Sequence, residues 1–151
     1  MAKLEPVLNR RHDLLKKSME SAQEALERAE YSGYPEVRSD ALYRLSDILS
    51  KLGGIGTSSD EKRRLFEKAL KYKDESIEII DKLQPYWYWN QGITRSARAR
   101  IKSELAGLAN DPESRNNMLL EAVIDKEKAV NLLHRHIQNA GAGEALRYLP
   151  C

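Results

Sequence analysis

The residues of this chain best suited to gripping a partner lie between Asp81 and Glu104. No acidic residue falls between those two, whereas Lys82, Arg95, Arg98, Arg100 and Lys102 all do. On a helix turning about 100° per residue, Arg95, Arg98 and Lys102 share one side, at gaps of three and four. The interval also contains QPYWYWNQG (residues 84–92), which holds both tryptophans. Trp87 falls with Gln91 and Thr94 on a polar face, about one turn before the basic ridge. Tyr86 and Trp89 fall instead on an apolar core stripe continued by Ile93, Ala97, Ile101, Leu105 and Leu108. Arginine forks pair bidentately with carboxylates and phosphates. Trp87, Arg95, Arg98 and Lys102 therefore form a candidate site for a protein or acidic peptide. Two other expectations compete with it. One is an ordinary solvated helix face; the other is a nucleic-acid surface on which Trp87 stacks against bases.

A second set of residues interrupts apolar stripes: Lys73, Lys126 and Glu104. Lysine stems can cover apolar surface while the ammonium reaches water. The alternative is a partly buried Glu104 paired with one of the lysines, a device that fixes helix register more than it stabilises. Metal and catalytic chemistry find little to work with. His134 and His136 are two apart, which turns their rings about 200° away from each other on a helix. His12 sits on an apolar face. GGIG (residues 53–56) lacks the lysine and serine of a phosphate-binding loop. No serine–histidine–carboxylate or cysteine–histidine set is visible, so the expectation is a non-enzyme without metal or cofactor. A helical-bundle ribonuclease would need an arginine and a histidine to meet near the C-terminus, and Arg135 and His136 are the nearby pair.

These side chains must be positioned by helices. Apolar residues at gaps of three and four mark five stretches: about 4–30, 35–52, 60–83, Pro85 or later to 108, and 112–138. Gly33 and Pro35 divide the first pair, and GGIGTSSDE divides the second. Asp111 and Pro112 open the fifth, and NAGAGE closes it before a short turn over 144–149. No segment alternates as a half-buried strand does. The expected fold is all-α, with about five antiparallel helices in one domain over 1–151, a length that suits a single core. A net charge of +2 is too small to argue for nucleic acid by itself. No apolar run approaches the roughly 18 residues of a membrane span, and the start lacks the pattern of a secretory signal. One cysteine, Cys151, cannot form an internal disulfide, which fits a reducing, cytoplasmic setting.

The chain also repeats itself. A gap-free shift of 53 residues pairs Leu65 with Met118, Phe66 with Leu119, Ala69 with Ala122, Leu70 with Val123, Lys73 with Lys126 and Ile77 with Val130. The candidate repeat is 41–83 against 94–136, and residues 14–30 form a related first helix at a shift of 51. LYRLSDILSKLG (42–53) and FEKALKYKDESIEI (66–79) resemble the first and second helices of a tetratricopeptide repeat. The family's period is about 34 residues, so this array is lengthened and irregular. The resemblance implies a stack of helical hairpins that binds other proteins: an adaptor.

Overall fold

The computed structural model describes residues 5–83 and 87–147. Pro85, Tyr86, the end of the expected C-terminal turn and Cys151 lie outside the described residues. Five helices follow in order: α1 (Glu5–Ser32), α2 (Pro35–Ile55), α3 (Ser59–Lys82), α4 (Tyr88–Gly107) and α5 (Pro112–Arg147). No strand occurs among the described residues. The protein is all-α. Short connections force successive helices to turn back on each other. Each helix packs on the next, α2 also touches α4, and α1 meets only α2.

Local chemistry sets the boundaries. Gly33 takes φ 71°, the left-handed conformation that ends α1, and Pro35 opens α2. The Ser58 hydroxyl accepts the Glu61 N–H at 3.2 Å and caps α3. The Asp111 carboxylate accepts the Ser114 N–H at 2.8 Å, the same device 53 residues later. The starts of α4 and α5 also follow those of α2 and α3 by 53 residues.

Two glycine-containing segments depart from expectation. Helix α2 continues through Gly53 and Gly54 instead of ending at Leu52. At Gly53 an added Cβ would stand 3.1 Å from the Phe66 ring, so the glycine is a packing position rather than a break. Helix α5 runs through NAGAGE to Arg147 in place of a stop and a separate turn. A helical glycine costs only about 1 kcal/mol relative to alanine, and the intervening Ala142 and following Glu144 and Ala145 favour the helix.

The core cluster joins Leu49 of α2, Phe66 and Ala69 of α3, and Ile101 and Leu105 of α4. Close helix approach is managed by small residues. Ser46 donates to the Ala69 carbonyl at 2.7 Å across α2 and α3, and the Ser39 and Ser76 hydroxyls lie 2.9 Å apart. Between α4 and α5 the small residue is Gly92, where a Cβ would come within 2.7 Å of Leu133 Cγ.

Candidate functional site

The basic ridge of α4 is an internal ion-pair seam. Arg95 donates to both carboxylate oxygens of Asp81, at 2.8 and 2.6 Å. Arg98 forks onto Asp125 of α5 and reaches Asp74 of α3 at 2.9 Å. Lys102 sits 2.8 Å from Glu121 and 3.2 Å from Asp125. Arg100, on the next face, reaches Asp47 of α2 at 3.2 Å. The acid-free interval of the sequence is thus answered by carboxylates from the flanking helices. Asp125 is buried at the junction of Arg98 and Lys102. Burial alone would raise its carboxyl, but the Arg98 fork and the Lys102 ammonium outweigh that and hold it below the usual carboxylate range. Burial likewise acts to lower Arg98, and its bonds to Asp125 and Asp74 overcome this and raise it. The 53-residue offset places the seam against buried positions of α2. Arg95, Arg98 and Lys102 stand 53 residues after Leu42, Leu45 and Leu49, three buried leucines of α2. The ridge occupies core positions, so neither a free docking face nor a solvated face describes it.

The tryptophans exchange the places assigned to them by periodicity. Trp89 is 50 % exposed, and its ring lies 5.6 Å from that of His136, centroid to centroid. Trp87 precedes α4 in a non-helical conformation and is half-buried. Its supposed polar companions Gln91 and Thr94 are buried. The stripe reading failed because α4 packs on two sides: Ile101 and Leu105 are buried as expected, while Ile93 and Ala97 are only half-buried. Trp87 lines a cavity of about 430 Å³ with Glu36, Asp40, Tyr43, Asn90 and Ile93. The carboxylates there are the reverse of what an acidic partner requires.

Lys73 is fully buried, with its ammonium 3.4 Å from the centroid of the Tyr43 ring and donating to the Tyr43 carbonyl at 3.2 Å. Burial pushes its pKa down to about 7, against the opposing pull of the Asp47 carboxylate. The ammonium of Lys73 therefore does not reach water, and because Glu104 is exposed the alternative pairing of Glu104 with Lys73 or Lys126 does not form either. Lys126 is exposed and donates to Ser96 Oγ at 2.8 Å. The buried lysine solves its desolvation with an aromatic face and a carbonyl instead of a carboxylate.

The feature that sequence reasoning missed is the outer face of α5. Leu119, Val123, Val130 and Ile137 are exposed there, flanked by Leu120 and Ile124. Leu119, Ala122, Val123, Lys126, Glu127 and Val130 line an open groove of about 750 Å³, bordered by Ser103 of α4. The equivalent residues of α3 behave differently: Phe66 and Ile77 are buried and Leu70 packs against the core, to which α2 and α4 both contribute. The repeat pairs these positions, and that signal was available in the sequence. What periodicity could not say is that nothing in α1–α4 covers the second copy of the face. Among the described residues no cluster of three or more metal-ligating side chains occurs, and no helix is long and apolar enough to cross a membrane.

Compared with known proteins, the chain matches no family model, no curated protein and no solved structure.

Proposed function

We propose that this chain is a non-catalytic helical-hairpin adaptor that binds another polypeptide, and that the docking surface is the aliphatic face of α5. One observation carries the reading: apolar residues at the positions 53 after the buried Phe66 and Ile77 of α3 are present on α5 and left exposed. Contiguous exposed aliphatic surface of this kind marks interaction sites. The tetratricopeptide-like resemblance, which implies partner binding, agrees with it. The repeat also suggests the occupant's chemistry. Asp74 on α3 receives Arg98 from the helix docked there, and its counterpart on α5, 53 residues on, is Glu127. The partner is therefore an amphipathic helix with aliphatic residues at helical spacing and a cation placed to meet Glu127. The forks of Arg95 and Arg98 are already filled, which removes the support that an acidic peptide or nucleic acid drew from the ridge.

A labelled amphipathic peptide, with leucines at i, i+4, i+7 and i+11 and one arginine beside them, tests this by fluorescence anisotropy. Val123→Asp with Val130→Asp is expected to weaken its binding at least about tenfold, since two buried apolar contacts become charged. Helicity and melting temperature should stay near those of the parent. Equal affinity of the parent and the double variant would overturn the assignment.

A further inference from the structure

The C-terminal end of α3, the first turns of α4 and the middle of α5 meet around a cavity of about 390 Å³, a size typical of small-molecule sites. Asp81 of α3, Gln91 and Arg95 of α4, and Lys128 and Arg135 of α5 line it. Lys128 and Arg135 are seven residues apart, two helical turns, so they project from one side of α5. At about 100° per residue, that side and the side of Val123 and Val130 flank the buried contact with α4 (Ala122, Asp125 and Ala129) in opposite directions. The cavity is therefore separate from the aliphatic face.

Its charge is unbalanced. Arg95 donates to both oxygens of Asp81, at 2.8 and 2.6 Å, and to the Gln91 carbonyl at 3.4 Å. That pair is fixed and neutral. Lys128 and Arg135 are exposed, and neither forms a salt bridge among the described residues. Both are free to pair with a carboxylate or phosphate entering the cavity. Gln91 supplies an independent sign of a ligand. The residue is 2 % exposed, yet its Oε1 has no hydrogen-bond partner. Buried polar atoms are overwhelmingly partnered, and one left open beside a cavity calls for an explanation. Two cations alone would suit any anion. The open acceptor narrows the ligand to an anion that also offers a donor.

We infer that this cavity binds a small hydroxylated anion, its carboxylate or phosphate held by Lys128 and Arg135 and one hydroxyl donating to Gln91 Oε1. The chemistry is that of a hydroxy acid or a polyol phosphate. Arg95, locked by Asp81 and the Gln91 carbonyl, forms a rigid wall and leaves the anion to the two residues of α5. The site goes beyond the adaptor reading and does not rest on it.

Isothermal titration calorimetry of the full chain with glycerol 3-phosphate, glycerate, methyl phosphate, acetate and glycerol tests the inference. At least one of the two hydroxylated anions should bind, and the tighter of them identifies the head group. Glycerol should give no heat of binding. Lys128→Glu with Arg135→Glu turns attraction into repulsion and should weaken the anion by at least about tenfold. Helicity should not change, because both side chains are exposed. Gln91→Leu keeps the bulk and removes the acceptor. It should weaken the hydroxylated anion by roughly tenfold and leave its hydroxyl-free counterpart, methyl phosphate or acetate, unchanged. Absence of binding by both hydroxylated anions, or binding that survives the double reversal, overturns the site. Equal weakening of the hydroxylated anion and its counterpart by Gln91→Leu overturns the role of the Gln91 acceptor.

Discussion

Helices α3 and α5 are built to the same pattern and end in opposite circumstances. Ile77 of α3 is 6 % exposed; its counterpart Val130 of α5 is 64 % exposed. Phe66 and Ala69 lie in the core cluster beneath Ile101 and Leu105, whereas Leu119 stands in water beside a buried Ala122. The difference lies in what covers the helix rather than in its own sequence. An amphipathic helix specifies that it will bury a face; only the rest of the assembly decides whether that burial is completed within the chain. The first helices of the two hairpins differ in another way. Where α2 meets its neighbours through Leu42, Leu45 and Leu49, α4 uses Arg95, Arg98 and Lys102 against Asp81, Asp74 and Asp125.

The contrast between covered and uncovered faces can be broken most forcefully by one substitution made twice. Ile77→Asp buries a carboxylate with no partner and should cost more than about 4 kcal/mol, enough to unfold many domains of this size. Val130→Asp should change stability by less than about 0.5 kcal/mol when measured on the monomer, since surface changes usually stay in that range. Urea denaturation of both variants at low protein concentration decides it. Similar losses at the two positions would mean that the two faces are not in different environments.

The seam of α4 offers a sharper comparison within itself. Asp125→Ala leaves Arg98 and Lys102 without their shared buried carboxylate, and a loss of about 3–5 kcal/mol is expected. Asp81→Ala removes the partner of Arg95 at a site where the carboxylate is 38 % exposed, and should cost under about 1 kcal/mol. The same logic applies to reversal of Arg95 and Arg98 to glutamate. That change sets carboxylate against carboxylate and should lower the melting temperature, which a free, solvated ridge would not do.

A pH dependence follows from Lys73. Its pKa is depressed in the folded protein, to about 7 from 10.5. The unfolded chain therefore binds more protons between those values, and stability should rise with pH across that window. Its contribution is complete above the unfolded pKa and is lost as pH falls through the folded one. The slope from this group can reach roughly 1.4 kcal/mol per pH unit. Lys73→Met should flatten the slope between pH 7 and about 10, as followed by chemical denaturation in buffers of matched ionic strength. An unchanged slope would mean that another group carries it.

Much of this was legible in the sequence. The stripes of α2 and α3 located those helices and most of their buried residues, because apolar spacing of 3.6 is a local signal. The start of α5 and its capping carboxylate, Asp111, were equally legible, from the local signal of Asp111 followed by Pro112. Partners brought from elsewhere in the fold were less visible. Nothing near Arg98 announces Asp74 and Asp125, which come from helices on either side, although the alignment of Arg98 with Leu45 already marked a core position. Trp87 and Trp89 were exchanged because α4 has two packed sides, and a single stripe describes a helix with one. The glycines at 53 and 54 looked like a break, since the ring of Phe66 that requires Gly53 belongs to the next helix.

The account turns on whether the outer face of α5 becomes covered. Amide hydrogen exchange measured by mass spectrometry with and without the helical peptide addresses that directly, with α3 as the internal reference. Exchange across residues 116–137 should slow when the peptide is added, while exchange in α3 stays constant. Exchange in 116–137 that ignores the peptide would contradict the assignment of α5 as a docking surface.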